Sequence, residues 1–260
     1  MGARHRWLCL VGLLAATFAG VPAAAQRDEP LPRFQDPVCP GIVGLRQDAA
    51  EMMVGRIREN AEELGIRLAD AEGCEPNLLV VFLEDGQDYL RRLSAERSYM
   101  FEDLNPQERR NLLAHEGPVH VLTQVRTRSR DGMIVPRREN LVDPPQTEMW
   151  MAHSRIYTPT RKDIVSSLVL IDRDEVGGMG VSQLADFATM RVFTADRPEL
   201  RPASSSSILN LFDAPEAERP AGLTASDRAV LSTLYQGPAN LRASSRLAEL
   251  EQSRTAPDAE

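Results

Sequence analysis

A mixed α/β (α+β) fold, a single domain with a central sheet packed by helices, is what the sequence predicts. Three observations carry this. Two continuous apolar runs, Asn77 to Leu83 (NLLVVFL) and Ile164 to Asp172 (IVSSLVLID), have the length of buried strands and are too short for buried helices. Ala50, Met53, Val54, Ile57, Ala61 and Leu64 recur at helical spacing and form one apolar face. Hydrophobic residues make up 42% of the 260 and charged residues 26%, enough apolar surface for a core and too little charge for a disordered chain.

The elements follow in order. Residues 26–44, rich in proline, read as an extended arm ahead of a globular domain at 45–238. Gly65 ends the first helix, and the apolar strand after it closes at Asp85-Gly86, before a helix containing Tyr89, Leu90 and Leu93. Asn105-Pro106 places proline in the first turn of another helix. Val119, Val121, Thr123 and Val125 alternate with other residues as a strand, and Arg126 to Pro145 reads as a turn and long surface loop. Glu148 to Tyr157 reads as a further strand. After the second apolar run, Gly177, Gly178 and Gly180 lead into a helix from Ser182 that carries Leu184, Phe187, Ala188 and Val192. Pro198, Pro202 and Ser204 to Ser207 make a loop, and Thr224 caps a last main helix with Asp227 in its first turn. Residues 239–260 read as a polar, partly disordered tail with a helical piece around Leu247.

The first 25 residues read as an export signal. Arg4 and Arg6 precede an apolar run from Trp7 to Val21, and Ala23-Ala24-Ala25 supplies the small residues of a cleavage site. Removing 25 of the 260 residues, two of them arginine and none acidic, leaves 235 and takes the net charge from -8 to -10. A periplasmic or secreted location follows, with no membrane span in the mature form. Cys9 leaves with the signal, and Cys39 and Cys74 are expected to pair in an oxidising compartment. Closing that loop contributes roughly 3–4 kcal/mol on the chain-entropy account. The acidic balance excludes nucleic acid as a partner, since such a chain repels a phosphate backbone. Its one lysine, Lys162, against 29 arginines reflects coding bias more than mechanism.

Motifs for catalysis are missing. His5, His115, His120 and His153 include no two on one helical turn, so the pattern of a zinc hydrolase does not arise. The turn at 177–180 lacks the third glycine of a dinucleotide site, with Gln183 in its place, and there is no Walker lysine. Asp172, Asp174 and Glu175 lack the further oxygen ligands of a calcium loop, and no Gly-x-Ser-x-Gly elbow occurs.

The C-terminal third resembles the zinc-dependent metalloproteases of the metzincin kind in the order of its parts. There, a buried strand passes through a Gly-containing turn into the helix bearing His-Glu-x-x-His. A Ser-Ile-Met-like turn follows, then a helix introduced by Leu-Thr-x-x-Asp and ending in Leu-Tyr-Gly. This chain has Leu168 to Asp172, Gly177 to Gly180, the helix from Ser182, Ser207-Ile208-Leu209-Asn210, and Leu223-Thr224-Ala225-Ser226-Asp227 leading to Leu234-Tyr235-Gln236-Gly237. It departs where the metal ligands belong, reading Gln183-Leu184-Ala185-Asp186-Phe187. The resemblance therefore implies a zincin-like fold without zinc, cofactor or catalytic residues. Its expected role is binding a peptide or an envelope partner in a cleft beside the 182–193 helix, on Gln183, Asp186 and Met190. The alternative is a divergent hydrolase using Asp172, Asp174, Glu175 or Asp186 with a distant His120 or His153.

Overall fold

The computed structural model describes residues 28–135, 154–202 and 204–255. The expected signal at 1–25, His153 and the greater part of the Glu148–Tyr157 strand lie outside these residues. In chain order the elements are β1 (Arg33–Phe34), β2 (Pro40–Val43), α1 (Gln47–Glu63), β3 (Leu78–Leu83), α2 (Gly86–Glu96), α3 (Pro106–Ala114), β4 (Val119–Ser129), β5 (Thr160–Asp172), α4 (Val181–Phe193), α5 (Ala225–Tyr235) and α6 (Ala243–Thr255). Short 3-10 turns punctuate the connections.

Among the described residues five strands form one sheet, parallel except for β4. The long β5 is its centre. β3 pairs with it in parallel from Leu78 opposite Ser167 to Leu83 opposite Asp172, and β1 pairs nearer its start. β4 runs antiparallel to β5 from Val119 opposite Ile171 to Ser129 opposite Thr160, and β2 completes the sheet beyond β3. The β2–α1–β3 unit is the parallel crossover that buried apolar strands call for. Its entry is tight: at Gly44 (φ +89°) a Cβ would stand 2.1 Å from the Phe82 carbonyl oxygen, so only glycine fits.

The main core lies on one face, where α1, α4, α5 and α6 cover Leu78, Val80 and Phe82 of β3 and Ile164, Val169 and Ile171 of β5. Met53, Ile57 and Ala61 are the buried part of the expected α1 stripe. On the other face α2 lies over β4 and β5, burying Leu90 and Leu93 with Phe101, Leu122, Leu168 and Leu170. Helix starts follow local chemistry. Asp85 accepts from the Asp88 N–H at 2.7 Å, and Asn105 and Thr224 make reciprocal capping boxes with Glu108 and Asp227.

Three expectations need correction. Arg126 to Ser129 are strand and not loop, because Arg128 meets Asp163 at 3.4 Å and Asp36 at 3.1 Å, which accommodates charge beside the sheet. The arm belongs to the domain: it supplies β1 and β2 and buries Leu31, Phe34 and Val38. In the expected tail the helical piece around Leu247 is α6, and it joins the domain by packing on α5 and burying Leu250. Arg33 ties the two ends together, donating to the carbonyls of Leu234 (2.9 Å) and Gly237 (2.7 Å) at the end of α5. Burial, with Arg246 nearby, lowers its pKa to about 10.

Cys39 and Cys74 are disulfide-bonded, with Cα atoms 6.2 Å apart. The bond joins the start of β2 to the approach to β3. Asn77 backs it up, accepting from the Cys39 N–H at 2.8 Å and donating to the Pro37 carbonyl at 3.0 Å. Among the described residues no helix is long and apolar enough to cross a membrane.

Candidate functional site

Helix α4 was expected to present Gln183, Asp186 and Met190 to a cleft, and its surroundings fill that space. Met190 is fully buried in the core. Asp186 is 2% exposed and accepts four hydrogen bonds: from Arg56 Nε (2.8 Å) and Nη2 (3.1 Å), Asn60 Nδ2 (2.8 Å) and the Leu223 N–H (3.0 Å). A buried carboxylate needs such a set, and this one clamps α4 to α1 and to the 220–223 segment. Gly222 makes the approach possible, since a Cβ there would lie 2.6 Å from Asp186 Oδ2. Gln183 is tied on both sides, accepting from the Gly180 N–H at 2.8 Å and donating to the Pro220 carbonyl at 2.7 Å. The Phe187 ring meets Phe212 edge-on at 4.9 Å. These residues hold the fold together.

Of the acids of the hydrolase alternative, Asp172, Asp174 and Glu175 lie together at the end of β5, and Asp186 lies on α4. Asp186 is clamped as described, and Asp174 and Glu175 stand exposed on a 3-10 turn after β5. Asp172 accepts from the Gly86 N–H at 2.7 Å, at the start of α2. His120 comes closest to it, because its ring and Asp172 both pack against Gly86. Yet neither ring nitrogen of the buried His120 has a hydrogen-bond partner among the described residues, and no carboxylate there orients it as a base. Burial, with His115 5.5 Å away between ring centroids, lowers its pKa against the pull of Asp172 and Asp85. Among the described residues no group of three His, Cys, Asp or Glu side chains is placed to hold a metal ion.

Among the described residues an opening lies on the opposite side of the sheet, between α2 and the strands. It is a groove of about 460 Å³, within the range of small-molecule sites. Its floor is Leu79 of β3, Leu122 of β4 and Leu168 of β5, and Leu93 and Met100 form an apolar wall. Pro76 and Asn77 close one side, next to the disulfide. Polar groups along the floor are held in place: Ser166 donates to Gln124 Oε1 at 2.7 Å, and the Thr123 and Ser167 hydroxyls are 3.0 Å apart. Tyr89, Arg92, Glu96 and Arg97 stand along the rim. Arg92 pairs with Asp88 at 3.1 Å, whereas Arg97 has no ion-pair partner among the described residues.

Comparison with known proteins adds no relative. No family model matches the chain, and neither a curated protein nor a solved structure matches it. The groove escaped the sequence reading because α2 and three strands, far apart along the chain, build it together. One signal was legible: a strand run as apolar as NLLVVFL exposes alternate residues on a second face, which needs its own cover.

Proposed function

We propose that this chain is an exported binding protein without catalytic activity, and that its ligand, a peptide or another envelope component with an apolar body, lies in the groove beneath α2. The groove carries this reading: an apolar floor and wall, polar groups fixed beside them and a charged rim gathered around one opening. The Arg4–Ala25 segment supports export, as does the Cys39–Cys74 bond, which persists in oxidising compartments.

We read the frame as that of a metalloprotease-like protein that has lost its metal site. Two features support it. Strand β5 passes through the glycine turn into α4, and the Ser207-Ile208 turn packs against α4. Asp227 fixes that turn, accepting from Ser207 Oγ at 2.6 Å and the Ile208 N–H at 2.9 Å. Gln183 and Phe187, where the resemblance would put metal-binding histidines, are engaged with Pro220 and Phe212.

Titration with the neutral fluorescent probe N-phenyl-1-naphthylamine tests the site. Saturable binding to the wild-type chain is expected, with loss of binding in Ser166→Trp, whose indole would fill the groove while circular dichroism stays unchanged. Equal binding by a folded Ser166→Trp would move the ligand elsewhere. Elemental analysis of the same sample is expected to show no zinc; one zinc per chain would overturn the non-catalytic reading.

A further inference from the structure

We propose that the groove takes an amphipathic monocarboxylate, with a single acyl chain on the apolar floor and its carboxylate at Arg97. This inference rests on the binding reading above and names its ligand class.

The floor and wall, Leu79, Leu93, Met100, Leu122 and Leu168, belong to three strands, α2 and the 3-10 turn after it, and supply the apolar part of the lining. An unbranched chain covers such a surface without needing hydrogen-bond partners. The polar atoms beside it are already engaged, Ser166 Oγ donating to Gln124 Oε1 and Gln124 Nε2 to the Met100 carbonyl, so they ask little of a ligand body. Recognition of a polar head is left to the rim. There Arg92 is held by Asp88, and the Arg97 guanidinium is the cation without an ion-pair partner among the described residues. Arg97 stands at the C-terminal cap of α2, where a positive side chain is favoured, and a planar guanidinium presents paired donors matched to a carboxylate. Glu96 is the one acid on the rim. Its charge disfavours a doubly charged head group and leaves a single negative charge as the best complement.

Displacement of bound N-phenyl-1-naphthylamine by chain-matched competitors, below their micelle-forming concentrations, tests this. Dodecanoate is expected to displace the probe about tenfold more tightly than dodecanol, as a charge-assisted contact on a rim predicts. Dodecyltrimethylammonium is expected to compete less well than dodecanol. In Arg97→Gln the preference for dodecanoate should vanish, while probe and dodecanol affinities hold. Equal displacement by dodecanoate and dodecanol, an unchanged preference in Arg97→Gln, or displacement by an apolar peptide alone would overturn the inference and leave the groove reading standing. Failure of the probe itself to bind would remove both.

Discussion

Strand β3 presents two sets of side chains to two unlike surroundings. Leu78, Val80 and Phe82 point into the side covered by α1 and α4 and are buried, while Leu79, Val81 and Leu83 point to the α2 side and are only part-buried. Val43, beside Val81 on the same face, is 52% exposed. The apolar character of the two sets is the same. What differs is cover, since α1 and α4 span the first face and α2 lies over β4 and β5 on the second. A run of six apolar residues therefore marks a strand without saying how much of each face is closed. The open face is where chemistry beyond folding has room.

Substitutions that shorten a side chain should separate the faces by magnitude. On the closed side Phe187→Ala removes a ring packed against Phe212 and within the main core, and a loss of about 3–5 kcal/mol is expected from urea unfolding. A loss below about 1 kcal/mol would mean that the closed side is not tightly packed.

The second test uses pH and reads the edge of the α2 side. His120 is depressed below the usual histidine value by burial, and His115, Asp172, Asp85 and Arg191 are charged or titratable groups that act on it. Between the depressed value and about 6.5 the unfolded chain binds more protons than the folded one, so stability rises with pH across that window. Acidifying from pH 7 should thus lower the urea midpoint, with a slope of at most about 1.4 kcal/mol per pH unit from this group. In His120→Leu the slope should flatten. An unchanged slope would assign the acid sensitivity to other groups.

The smallest effect is expected on the groove floor. Leu79→Ala should cost about 1 kcal/mol or less in stability, because the leucine is already part-exposed, while weakening the probe several-fold. A cost above about 2 kcal/mol would turn the floor into core and erase the contrast between the faces.

Much of the fold was legible because its causes are local. Both buried runs became β3 and β5, Asp85, Asn105 and Thr224 cap the helices that follow them, and the 39–74 pairing formed. What stayed hidden depends on partners distant in sequence. Arg126 to Ser129 looked like loop because the charge of Arg128 is balanced by Asp163 and Asp36, which no local pattern reveals. Asp186 looked available because its clamp, Arg56, lies 130 residues earlier. The resemblance implies a ligand face that includes Met190, and the burial of Met190 follows from α1 and the 207–212 segment closing over α4.

The meeting of Arg33 with the end of α5 has a consequence for the topology as a whole. Asp28 also accepts from the Ser244 N–H at 2.8 Å, so the first and last segments of the domain lie side by side. A short linker joining them would leave the sheet order intact and free the chain to be opened elsewhere, with the exposed turn at Asp131-Gly132 a suitable place for new termini. Such a circular permutant would bring together early what the natural chain must bring together across 200 residues, and loop-closure entropy would no longer separate β1 from its anchor.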